Sequence, residues 1–181
     1  MELTRKIGIV GFGNMGSALG VALKDKRWQV YVYDKDRTKL VKLKGIKVCN
    51  SCKEVIEKTS ILVIAIKPQD ILSFIEDTKE YIYKFRPLII SIAAGVRIEV
   101  FEKLIEGVRI IRVMPNLAVK KRLSISFISS GKNITNQDLK LAKRIFKCVG
   151  DSIAISENFL DKATAISGSG PGYIYYFMDA L

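Results

Sequence analysis

The chain has 181 residues, 49% apolar and 27% charged, the composition of an ordinary globular protein with enough length for one good core; disorder, collagen and coiled coil are excluded. Its apolar runs stay far below the roughly 18 residues of a membrane span and its N-terminus lacks a signal-peptide layout, so a cytoplasmic protein with no membrane partner is expected. The formal charge of +12 invites nucleic-acid binding, but the lysines are spread along the chain with no long like-charge block, which suits small anionic ligands and leaves nucleic acid a remote alternative.

Short β-branched runs alternate with helical patterns from Lys6 onward, the signature of successive βαβ units and a mostly parallel sheet. Strands are expected at Lys6–Val10, Trp28–Tyr33, Ile46–Val48, Ile61–Ile66, Pro87–Ile92 and Val108–Val113. Their nearly continuous Ile, Leu and Val content fits strands covered on both faces. Apolar residues at three- and four-residue spacings predict helices over Met15–Lys24, Lys35–Leu43, Cys52–Lys58, Asp70–Tyr81 and Ile98–Ile105.

After Pro115, Leu123, Ile125 and Phe127 alternate with Ser124 and Ser126, which predicts a strand with one wetter face near the sheet edge. Thr135 reads as the N-cap of a helix that ends before Gly150, and Ser152–Ile155 as a last short strand. A helix over Glu157–Ile166 is broken by Gly168, Ser169, Gly170 and Pro171. A further helix then starts, capped by Ser169 or Gly170, with Pro171 in its first turn. It is still apolar on several faces at Leu181, so the sequence reads as cut inside that helix. The architecture expected is α/β, a doubly wound mostly parallel sheet of the Rossmann kind over residues 1–156. The beginning of an all-helical domain follows at 157–181.

The sharpest signal is Gly11-Phe12-Gly13-Asn14-Met15-Gly16, directly after the first strand and directly before the first helix. Gly11 permits a tight turn, Gly13 lets a diphosphate approach the backbone, and Gly16 lets helix and strand pack closely. The free N–H groups and positive dipole end of the helix can then hold a diphosphate without a charged side chain. Three glycines alone can be a structural turn; their place in an N-terminal βαβ unit points to dinucleotide binding. Asp34 ends the second strand, where an acid can accept bonds from the adenosine ribose and favour NADH. Lys35 and Arg37 follow at once and could neutralise a ribose 2′-phosphate, so NADPH stays open. The same acids and bases also suit a solvated helix start with Asp36 as cap.

Four later segments appear in order: Ala65-Ile66-Lys67-Pro68, Ser91-Ile92-Ala93-Ala94-Gly95-Val96, Arg112-Val113-Met114-Pro115-Asn116 and Ser167-Gly168-Ser169-Gly170-Pro171-Gly172-Tyr173. With the glycine turn they make the chain resemble pyrroline-5-carboxylate reductase over nearly its whole length. The resemblance implies a Rossmann domain that binds NADPH or NADH and a helical C-terminal domain that dimerises and completes the active site. It implies reduction of 1-pyrroline-5-carboxylate to L-proline. It also implies that the backbone of Ile66, Lys67 and Pro68 lines the cofactor's path, and that Met114, Pro115 and Asn116 lie near the nicotinamide and substrate. From the residues alone, Lys67 and Pro68 equally suit a solvated turn and a helix start, and Pro115-Asn116 a turn. Ala93, Ala94 and Gly95 are small enough to leave room for a flat ring, or for close helix packing.

The resemblance further implies that the substrate carboxylate and imine nitrogen are held by a glycine-rich loop and a threonine of the helical domain, so catalytic groups are expected beyond Leu181. Ile174, Phe177 and Met178 should then form an apolar helix surface that seeks a second copy of the chain. Two departures stand out: Leu117 and Ala118 replace the family's Thr-Pro, and Cys52 occupies a position where relatives often carry a cofactor-contacting Asn, with Asn50 nearby. Cys49 and Cys52 have CxxC spacing, but with only Cys148 besides and no histidine they lack a zinc ligand set, and inert thiols are expected. The absence of histidine also removes Ser-His-Asp and Cys-His nucleophiles and disfavours prephenate-type dehydrogenases. Hydroxyacid dehydrogenases of the 6-phosphogluconate type and deazaflavin-dependent NADP reductases remain neighbours, as does a non-catalytic dinucleotide-binding module.

Overall fold

The computed structural model describes residues 5–181. Strand β1 (Lys6–Val10) is followed by helix α1 (Asn14–Asp25), β2 (Gln29–Tyr33), β3 (Lys47–Val48), α2 (Cys52–Lys58) and β4 (Ile61–Ile64). Then come α3 (Ile71–Phe85), β5 (Leu88–Ser91), α4 (Ile98–Leu104), β6 (Ile110–Met114), β7 (Ser124–Ser130), α5 (Asn136–Phe146) and β8 (Gly150–Ala154). All eight strands form one sheet in the order β3-β2-β1-β4-β5-β6-β7-β8. The first six run parallel; β7 lies antiparallel to β6, and β8 parallel to β7. This is the α/β, Rossmann-like architecture expected from the sequence.

Period-two alternation splits the core into two layers. Ile7, Ile9, Val63 and Ile90 face α1 and α5, whereas Leu62, Ile64 and Ile89 face α2, α3 and α4. Because both faces are covered, the strands read as continuous apolar runs rather than as alternating ones. The strand order reverses between β1 and β4, so the crevice at their carboxyl ends is the topological switch point where open α/β sheets bind ligands.

Two expected elements come out differently. The helix expected over Lys35–Leu43 is a single 3-10 turn, Arg37–Leu40, because the Asp36 carboxylate takes the Thr38 N–H and hydroxyl, Val41 is extended and Lys42 has φ +60°. In the first half of β7 Ser124 and Ser126, not Ile125, face the interior: both serines are buried while Ile125 is 43% exposed; β7 does lie near the sheet edge, beside the edge strand β8. The hydroxyls are satisfied locally. Ser124 Oγ accepts the Asn116 N–H at 3.2 Å and lies 3.4 Å from Ser126 Oγ, beneath a 3-10 turn at Leu117–Lys121.

Beyond β8 the chain forms α6 (Glu157–Ala163), a π-turn (Thr164–Gly168) and α7 (Gly170–Asp179). Thus the Gly-Ser-Gly-Pro break is bridged by a wide turn, with Ser169 at the N-cap position and Pro171 in the first turn of α7. Helix α6 is fixed to the sheet by Arg112, whose side chain is 1% exposed and donates to Glu157 at 3.3 Å and Asp161 at 2.7 Å. Glu157 also accepts the Ile98 N–H at the start of α4. Helix α7, in contrast, presents Tyr173, Ile174, Phe177 and Met178 to solvent. No helix among the described residues is long and apolar enough to cross a membrane.

Candidate functional site

The glycine turn leaves β1 at the switch point. Gly11 has φ +92°, a conformation that L side chains rarely adopt, and a Cβ there would sit 2.5 Å from the Ala65 carbonyl oxygen at the end of β4. A Cβ on Gly16 would lie 2.1 Å from the Gly11 carbonyl oxygen, so only glycine allows α1 to approach the turn this closely. Gly13 differs from both: nothing lies within 4 Å of a Cβ built on it. It is the N-cap of α1, with no side chain bonded to the helix's first N–H groups, so the backbone donors face open space. A dinucleotide's diphosphate fits this arrangement, because the close-packed glycines shape the turn and the open one admits the ligand.

Beside the turn lies a pocket of about 330 Å³. Gly11, Gly13, Asp34, Lys35, Ala65, Ile66 and Lys67 all line it, so the structure brings together the glycine turn, the end of β2 and the segment after β4. The remaining sequence-predicted residues are placed elsewhere. Phe12 and Met15 pack toward the core, Asn14 is exposed at the start of α1, and Pro68 opens a 3-10 turn, Pro68–Asp70, before α3. Arg37 turns its guanidinium to the carbonyl oxygens of Cys49 (2.8 Å) and Asn50 (3.3 Å) and lies over the Tyr33 ring.

Ala93 is buried, while Ala94 and Gly95 are exposed after β5, at the same carboxyl edge of the sheet. Met114, the last residue of β6, and Pro115 after it are buried. Asn116 has local bonds: its Oδ1 accepts the Ala118 N–H at 3.2 Å and its Nδ2 donates to Ser167 Oγ at 3.1 Å.

Asp34 is 6% exposed and heavily committed to its own chain. Its Oδ2 accepts the Phe12 N–H at 2.6 Å, and its Oδ1 accepts the Asp36 N–H at 2.8 Å and the Lys39 ammonium at 3.3 Å. The carboxylate therefore ties the end of β2 to the middle of the glycine turn. Lys35 pairs with Asp70 at 3.1 Å across the pocket mouth.

Lys39, Cys52, Asp70, Ser73, Phe74 and Asp77 also line the pocket; of these the sequence singles out only Cys52, as the counterpart of a cofactor-contacting Asn in relatives. Four of them, at positions 70, 73, 74 and 77, share one helical face, a spacing visible in the sequence but read there only as amphipathicity. Burial, reinforced by the carboxylates of Asp77 and Asp34, pushes the Cys52 thiol up to about 11, and burial also raises Cys49. Both thiols stay protonated near neutrality, and among the described residues no His, Cys, Asp and Glu cluster is arranged for a metal.

Against known proteins, the family described as NADP oxidoreductase, coenzyme F420-dependent, matches residues 6–95. The pyrroline-5-carboxylate reductase of Methanosarcina acetivorans is 37% identical over 98% of this chain and 68% of its own length. The chain belongs to the pyrroline-5-carboxylate reductase family. Among solved structures, the pyrroline-5-carboxylate reductase of Coxiella burnetii superimposes with a TM-score of 0.91 at 29% identity, over 99% of this chain and 69% of that one. The Plasmodium falciparum pyrroline carboxylate reductase with NADP bound does so with a TM-score of 0.86 at 32% identity, over 97% and 67%. Membership in the pyrroline-5-carboxylate reductase family makes this an NADP-binding type of oxidoreductase domain, with its glycine turn where the fold binds dinucleotides.

Proposed function

We propose that this chain carries the cofactor-binding part of an NAD(P)H-dependent reductase that converts 1-pyrroline-5-carboxylate to L-proline, working in the cytosol. The observation that carries the reading is the glycine turn at the switch point, with Gly13 open and the pocket beside it. The α1 N–H groups hold the diphosphate, and the pocket between β2 and α3 takes the adenosine end. Asp34 holds the turn in its binding shape through the Phe12 N–H. Ala94 and Gly95 give a flat surface at the sheet's carboxyl edge for a nicotinamide ring. When bound, the reduced nicotinamide supplies a hydride. A cyclic imine needs orientation more than acid-base groups, because its protonated nitrogen is already electrophilic, which fits a chain without histidine.

In this reading residues 1–156 form the cofactor domain, and the helices from Glu157 onward build a surface for a second copy of the chain. The exposed Ile174, Phe177 and Met178 support that assembly. Calorimetric titration with NADPH and NADH tests the cofactor claim: binding is expected, and Gly13→Val should abolish it by placing a branched side chain where the diphosphate approaches. The claim is overturned if neither nucleotide binds at millimolar concentration. Turnover of pyrroline-5-carboxylate with the bound nucleotide separates the reductase from a non-catalytic dinucleotide-binding module.

A further inference from the structure

Lys120 sits in the 3-10 turn after β6, yet its ammonium lies 3.1 Å from Oδ1 of Asn14, the first residue of α1. That end of a helix carries positive potential from the backbone dipoles, and an ammonium placed there is unfavourable on its own. Four other helices show the ordinary solution: α2, α4, α5 and α6 begin with Glu54, Glu99, Asp138 and Glu157 in their first turns, and α3, which has no acid in its first turn, has Asp70 at its N-cap. Helix α1 has no acidic residue in its first turn and receives a cation from a distant loop instead. Nor is that cation neutralised. Lys35 and Lys39 pair with Asp70 and Asp34, whereas Lys120 has no carboxylate partner among the described residues. An anion at the α1 N-terminus would satisfy both the helix end and the lysine.

We infer that Lys120 is a further binding residue of the dinucleotide site, supplying a side-chain cation to the diphosphate at the glycine turn. The inference rests on the cofactor reading above. Asn14 holds the ammonium beside the helix end, and a rotation of the flexible lysine stem exchanges the amide oxygen for a phosphate oxygen. The contact is to the diphosphate common to NADPH and NADH, so Lys120 contributes affinity for both without choosing between them.

Titration of Lys120→Gln and Lys120→Arg with NADPH and NADH at low and high salt tests this. Lys120→Gln should weaken each nucleotide that the parent binds about tenfold at low salt. The deficit should shrink at high salt as screening removes the parent's advantage. Lys120→Arg should stay within about threefold of the parent, because a guanidinium also binds phosphate. Since Lys120 is exposed, both variants should melt with the parent. An unchanged affinity in Lys120→Gln overturns the inference, as does a loss confined to NADPH, which would place Lys120 on the 2′-phosphate. A parent that binds neither nucleotide refutes the cofactor reading itself and this inference with it; a binding parent with an indifferent variant refutes only the inference.

Discussion

Replacing Asp34 with Ala separates a support for the glycine turn from a ligand for the ribose. In the folded chain Asp34 Oδ2 accepts the buried Phe12 N–H at 2.6 Å. Without the carboxylate that buried donor loses its partner, and a buried orphan costs about 1–3 kcal/mol, with the upper half appropriate to a bond with a charged acceptor. The Asp36 N–H returns to solvent and the exposed Lys39 loses little, so the total loss expected is about 2–3 kcal/mol. For a domain of this size that lowers the melting temperature by about 4–12 °C.

Urea unfolding followed by far-UV circular dichroism measures the loss, and calorimetry should show both NADPH and NADH weakened, because the turn that holds their common diphosphate is no longer fixed. Asp34→Asn keeps one acceptor but turns an amide donor toward another donor, so an intermediate loss of about 1–2 kcal/mol is expected. The reasoning is refuted if Asp34→Ala changes stability by less than about 0.5 kcal/mol while NADH binding alone collapses. That result would make Asp34 a ribose acceptor with no part in the turn.

Further outcomes follow from the same geometry. Gly13→Ala should leave stability within about 0.5 kcal/mol of the parent, since its Cβ meets nothing within 4 Å, yet lower dinucleotide affinity in titration; Gly16→Ala, aimed at the Gly11 carbonyl, should destabilise by about 1–3 kcal/mol or more. Thr135→Ala removes the capping box of α5 and should cost about 1 kcal/mol in urea unfolding. Burial acts to raise its Asp138 partner, but the bonds from Arg109 and Thr135 outweigh it and hold the carboxyl below the usual range. A lowered folded value means this contribution is complete above about pH 4 and fades as pH falls through the folded value, so the parent's advantage over Thr135→Ala should shrink in acid. Finally, Cys52 should react with a thiol reagent at pH 8 roughly twentyfold more slowly than free cysteine, its smaller thiolate fraction being partly offset by higher nucleophilicity. NADPH should slow it further, because Cys52 lines the pocket.

Most of the fold was legible because its strongest signals are local. Runs such as Ile61 to Ile64 are too apolar to be anything but buried, and the glycine turn announces both β1 and α1. The failures occur where a few hydrogen bonds outweigh periodicity. Residues 35–43 carry a helical pattern, but Asp36 captures Thr38 and the backbone goes on to β3. The alternation in β7 was visible, but its sense was not: a serine pair that satisfies itself can face inward, and Ile125 then faces out.

The pocket beside the glycine turn shows the same division. Its near wall follows strands β1, β2 and β4 and could be read from motifs, whereas its far wall is a side of α3 that only the packing of α2 and α3 against the sheet turns toward Asp34. The multiple bonds of Asp34 were likewise hidden. An acid at the end of β2 reads as a ligand group, and only the structure shows that it also holds the glycine turn beside it.

The joint between β6 and the helices that follow has a consequence for assembly. Arg112 grips α6 from the middle of β6, and Asn116, just past the end of that strand, reaches Ser167 in the π-turn, so two points hold the chain before it enters α7. With two points fixed, the apolar helix leaves in a set direction rather than swinging on a loose tether. A partner would meet a surface already aimed, and little orientational freedom would remain to be lost on contact.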